Sequence, residues 1–237
     1  MLPNLQNPEF ILTLPSTGEE VYYRPFLVKE EKMLLLALES GNIQEVTNCI
    51  MKIIENCVRS EKTTIKDMTY FDIEYLFLNI RSKSVDNIVK LKLRHADANA
   101  CNHVHDYDLN IDEINVVFTK DHTNKIMLTD AVGLVMKYPT IKDQDEIEND
   151  LNSTDVEKIF IAITKSIKYV FDTTTVYEDS TTEEMLAFVE NLTKEQFGKI
   201  MNFYKSMPSL QHTLEYTCPK CSKKESILLK GIQSFFA

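Results

Sequence analysis

Apolar positions recur along this chain at two spacings, and the switches between them mark its elements. Residues 9 to 14 (Glu-Phe-Ile-Leu-Thr-Leu) and 20 to 27 (Glu-Val-Tyr-Tyr-Arg-Pro-Phe-Leu) are strand-like runs on either side of Pro15-Ser16-Thr17-Gly18, and predict a hairpin. From Val28 to Ser40 the spacing is helical, and Gly41 ends it. Ile43, Val46, Ile50, Ile53, Ile54 and Cys57 then line one face of a second helix. A third helix runs from about Met68 to Arg81. Phe71, Tyr75 and Leu78 lie on one face, with Ile73, Phe77 and Ile80 beside it, and so wide an apolar surface implies burial on more than one side.

At Val89 the period becomes two: Val-Lys-Leu-Lys-Leu-Arg alternates strictly and predicts a half-exposed strand. Asp108-Leu-Asn-Ile-Asp, Asn115-Val-Val-Phe-Thr and Lys125-Ile-Met-Leu read as its continuation in a small antiparallel meander. After Tyr138-Pro139-Thr140, residues 142–157 carry seven carboxylates against one lysine and predict a solvated connection. Three capping boxes follow: Thr154 with Glu157, Thr181 with Glu184, Thr193 with Gln196. The first of these helices would bury Val156, Ile159, Phe160, Ile163, Ile167 and Val170. The expected fold class is α+β: an N-terminal hairpin and helical block over 1–85, a β-meander over 86–141, and a helical segment with a C-terminal zinc-ribbon-like hairpin over 142–237, together one compact unit.

Composition narrows the function. With 237 residues and 43% hydrophobic content the chain can bury a sizeable core. A formal net charge of −10 repels phosphate backbones and argues against a nucleic-acid partner. No apolar run of 18 residues occurs, and the first residues lack the basic and apolar regions of a signal peptide, so the expected setting is a cytoplasm and no membrane. Cys49 and Cys57 fall within a helical pattern and read as small apolar residues of a reduced protein.

The strongest chemical signal is Cys218-Pro219-Lys220-Cys221, between the strand-like runs Leu214-Glu-Tyr-Thr and Glu225-Ser-Ile-Leu-Leu. Two thiols at this spacing present two sulfurs about one tetrahedral edge apart, which is half of a structural zinc site. For the other half, Cys101 with His103 is the first choice, and His95 and His105 are rivals in the same cluster. His122 reads as a solvated loop histidine, and His212 as a residue pointing outward from a strand. No nucleophile elbow, phosphate-cradling glycine loop or zinc-protease motif is present, so the chain is not expected to be an enzyme. Tyr22, Tyr23 and Phe26 on the N-terminal hairpin, and Phe235 and Phe236 at the end, are the expected partner contacts.

The order of these features resembles a family of T-even-like phage baseplate proteins. The resemblance rests on the hairpin, the helical block, the strand region, Tyr138-Pro139-Thr140, the capped helices, Thr217-Cys218-Pro219-Lys220-Cys221 and the Gly231 to Phe235-Phe236 ending. It implies a baseplate hub subunit or hub assembly protein, made in the host cytoplasm and present there or in the virion. Its partners would be other hub or tail proteins, with an oligomer within the baseplate, and it implies no catalytic residue. The contrasting class is a zinc-ribbon regulator of transcription machinery, which would share the cysteine turn but need a basic groove.

Overall fold

The computed structural model describes residues 6–95, 101–150, 153–231 and 234. In chain order, its first elements are β1 (Phe10–Thr13), β2 (Glu20–Tyr23), α1 (Val28–Ser40), α2 (Ile43–Cys57), β3 (Val58–Arg59), α3 (Tyr70–Ser84), β4 (Ile88–Arg94), β5 (Val104–Asn110) and β6 (Asn115–Val117). There follow β7 (Lys125–Met127), β8 (Gly133–Met136), α4 (Ile141–Glu148), α5 (Asp155–Ser166), β9 (Ile167–Phe171), β10 (Val176–Tyr177), α6 (Thr182–Glu190), α7 (Lys194–Ser206), β11 (Ser209–Thr217) and β12 (Lys224–Lys230). The fold is mixed α+β, with seven α-helices and several small antiparallel sheets among the described residues.

The chain forms two compact units. Unit one comprises Met1–Ile65, Phe71–Val117 and Ser209–Ala237; unit two comprises Lys66–Tyr70 and Phe118–Pro208.

In unit one, β1 and β2 form the expected hairpin, and β3 adds a third antiparallel strand. The hairpin turn is tied to α3, because Ser16 donates from both its N–H and its hydroxyl to the buried Asp72 carboxylate. After β2, the Arg24 guanidinium donates to the carbonyls of Pro25 and Asn56 and to the carboxylate of Glu30. Glu30 is fully buried and also accepts the Leu27 N–H at 2.8 Å, so its charge is compensated at the start of α1. Gly41 ends that helix at φ 65°, a left-handed cap that suits glycine.

The two hairpins that matter most also lie in unit one. β4 pairs with β5 alone, and β11 pairs with β12 on one side and β6 on the other. Their inward positions meet in one core of Val89, Leu91, Leu93, Leu109, Leu214 and Leu229, joined by Leu78 of α3. The expected meander is therefore corrected: the strands exist, but β6 pairs with β11 and β7 belongs to another sheet. Alternation identifies a strand; it carries no information about a partner distant in sequence. Cys49 and Cys57 are buried, and burial pushes the Cys57 thiol up to about 11.

Unit two is built on the antiparallel sheet β10-β9-β8-β7 and on α4 to α7. Its core gathers Leu134 and Met136 of β8, Ile163 of α5, Val189 of α6, and Ile200 and Phe203 of α7. All three expected capping boxes are formed. Two expectations are corrected. Ile167 and Val170 lie in β9, not in the helix, because Ile-Lys-Tyr-Val-Phe carries β-branched and aromatic residues that suit a pleated surface. The acidic connection contains α4, whose start is fixed by a reciprocal Thr140–Asp143 capping box. Gly133 is required by close packing: a Cβ there would meet Phe171 Cζ at 2.5 Å and the Ile126 carbonyl at 2.9 Å.

Candidate metal centre

β4 turns Val89, Leu91 and Leu93 inward, and His95 follows at the same parity, only 1% exposed. Its N–H donates to the His103 carbonyl at 3.2 Å, closing the base of the β4–β5 turn. Cys101 and Asn102 lead into β5, with Asn102 at φ 49°, a left-handed conformation that asparagine tolerates. On the second hairpin, the Cys218 N–H donates to the Lys223 carbonyl at 2.8 Å, and the Ser222 N–H to the Cys218 carbonyl at 2.9 Å. These bonds fold residues 218–223 into a tight knuckle, with Cys218 buried and Cys221 exposed.

The two turns meet. Ligand atoms of His95, Cys101, Cys218 and Cys221 all lie within 4.8 Å of one another. Cys101 Sγ is 3.6 Å from Cys218 Sγ, and His95 Nδ1 is 3.4 Å from both Cys101 Sγ and Cys221 Sγ. A tetrahedral ion with metal–sulfur bonds near 2.3 Å and a metal–nitrogen bond near 2.0 Å would set sulfur–sulfur edges of ~3.8 Å and nitrogen–sulfur edges of ~3.5 Å. These three separations match that figure, and the cluster is a candidate metal-binding site.

Its surroundings suit ligation. His95 Nε2 lies 2.5 Å from Glu225 Oε1, so Glu225 accepts the Nε2–H and leaves Nδ1 facing the sulfurs. Lys220 Nζ donates to the Cys101 carbonyl at 3.2 Å, placing a cation beside the thiol cluster. The hydrogen-bonded contact with His95, then the His103 backbone, brings the Cys101 thiol down to about 6. The Cys101 sulfur, and after it the Glu225 carboxylate, holds the His95 imidazole above its ordinary pKa against the pull of burial.

His103 does not join the four. Its side chain stacks on His105, with ring centroids 6.2 Å apart, and its contribution to the turn is its backbone carbonyl. His105 in turn packs against Tyr216 at 4.8 Å. The residue of the cluster given second rank in the sequence, His95, had a signal: it extends the inward parity of residues 89, 91 and 93. Glu225 had one as well, since it stands opposite Tyr216 at the inward parity of Ile227 and Leu229.

Tyr23 and Phe26 are buried, and Tyr22 is half-buried beneath the Arg59 guanidinium at 5.7 Å. Phe235 and Phe236 lie outside the described residues. His122 is not a solvated loop residue. It is half-buried in unit two, with Nδ1 2.9 Å from Ser206 Oγ and Nε2 3.0 Å from Tyr138 Oη, and its ring packs on Tyr138 and Phe203. His212 is half-buried at the inward parity of Leu210 and Leu214, so it does not point outward. No helix among the described residues is long and apolar enough to cross a membrane.

Three cysteines and one histidine thus converge from two hairpin turns, as candidate ligands in a chain of mixed α+β class. The model of the T4 bacteriophage base plate protein family matches residues 7–237, and the chain belongs to that family. It is a structural or assembly protein of the phage baseplate that works through protein–protein contacts and not as an enzyme. Comparison with curated proteins and with solved structures returned no match.

Proposed function

We propose that this chain is a subunit or assembly factor of the baseplate hub, and that a zinc ion held by His95, Cys101, Cys218 and Cys221 locks the β4–β5 and β11–β12 hairpins together. The family match over residues 7–237 carries the functional reading. Four converging soft ligands, three sulfurs and one imidazole nitrogen, support zinc over the hard cations, which prefer oxygen. A fully ligated ion supplies folding energy, and the protein's own residues do the rest: Glu225 orients the imidazole, and the knuckle backbone sets the two cysteines.

The partners are other hub and tail proteins, met in the host cytoplasm during assembly or in the virion tail. A net charge of −10 favours protein over nucleic acid as the contact. Tyr22 on the N-terminal hairpin and the terminal Phe235-Phe236 are the proposed contacts, with Tyr23 and Phe26 underpinning the hairpin from inside. Affinity capture from infected cells tests this: baseplate proteins should co-purify, and phage lacking the protein should fail to complete tails. Normal tails without it would refute the reading.

A further inference from the structure

α1 has an apolar face turned to solvent. It buries Glu30 and Leu34, while Val28 is 80% exposed, Leu35 56% and Leu36 57%. At 100° per residue, Val28, Lys32, Leu35, Leu36 and Glu39 fall on one side of the helix. Lys32 and Glu39 are both exposed, and among the described residues neither takes part in an ion pair. Seven residues apart, they stand ~10 Å from each other along the axis, too far to pair within one helix.

The arrangement is self-complementary. Lys32 and Glu39 lie equally far, in opposite directions, from the midpoint between Leu35 and Leu36. A two-fold axis across the helix at that midpoint brings each Lys32 opposite the other copy's Glu39, and sets each Leu35 against the other copy's Leu36. A parallel pairing would instead put like charges together. From this charge complementarity we infer that α1 is an interface between two copies of this chain, packed antiparallel. The leucines supply the buried apolar centre and two Lys32–Glu39 pairs fix register and direction, as an isologous contact requires. This inference stands apart from the hub assignment, since it concerns the chain's own association and not its partners.

Sedimentation velocity on the full chain tests it. One helix pair buries area at the low end for specific interfaces, so the dimer should grow in over roughly 1–100 µM. Leu36→Glu should abolish it. Lys32→Glu and Glu39→Lys should each weaken it by about tenfold, and the double variant K32E/E39K should regain it to within about threefold of the parent. Circular dichroism confirms that each variant is folded. A parent chain that stays monomeric through about 200 µM, or a folded double variant that fails to regain the dimer, would overturn the inference. The same holds if the leucines bind a different baseplate protein while the chain alone remains a monomer.

Discussion

His95 Nε2 lies 2.5 Å from the carboxylate of Glu225, on the hairpin opposite its own. The bond decides which imidazole nitrogen faces the thiols. Nε2 carries the proton toward Glu225, and Nδ1 is left to the cluster. If the cluster holds zinc, Glu225 is its outer support. Replacing it with Gln should weaken zinc affinity by about 10–100-fold in chelator competition, while one zinc per chain still binds at saturation. An unchanged affinity would show that the carboxylate does not orient the ligand.

The ligand set separates His95 from His103. His95→Ala should lose bound zinc and melt at a lower temperature, because its Nδ1 is one of the four converging atoms. His103→Ala should keep zinc, since its ring stacks on His105 away from the cluster. Metal content of the two purified variants checks this, and the opposite result would restore His103 to the set.

Cys218→Ser removes a fully buried thiol of the candidate site at the base of the knuckle. It should lower the melting temperature by about 5 °C or more, as loss of a structural ion subtracts from folding energy. Chelator should lower the parent's melting temperature similarly and leave the variant unaffected. A variant that melts like the parent would assign the knuckle to backbone turn geometry alone.

Glu30 gives a pH-dependent prediction in the same unit. Burial pushes its carboxyl up, but the Leu27 N–H and the Arg24 guanidinium outweigh it and hold the pKa below the ordinary value. A lowered folded-state pKa contributes stability that is present above the unfolded pKa and lost as pH falls through the folded one. Glu30→Gln should therefore cost about 1–3 kcal/mol at neutral pH, with the difference from the parent shrinking as pH drops below about 4. Urea denaturation at several pH values measures it, and a difference that does not change with pH would contradict it.

Much of unit one was legible in the sequence because its signals are local. Gly41 ends α1, the Pro15–Gly18 turn makes the first hairpin, and the alternation from Val89 makes β4. The cysteine knuckle and its distant partner Cys101 were readable from ligand chemistry and spacing. Pairing was not: Val117 finds Ser209, and no local pattern names that partner. Nor was the choice of His95 over His103, which depends on strand parity carried through the turn. His122 looked like a loop residue because its partners Tyr138, Phe203 and Ser206 reach it only through tertiary packing. Glu30 was hidden for a related reason, since a charge in the first turn of a helix ordinarily faces water and here meets Arg24.

X-ray absorption at the zinc edge, on protein purified without a metal-affinity tag, tests the stapled-hairpin reading most directly. About one zinc per chain is expected, with three sulfurs near 2.3 Å and one nitrogen near 2.0 Å. Protein that folds with far less than one zinc, or a site with two sulfurs and no contribution from Cys101, would contradict it.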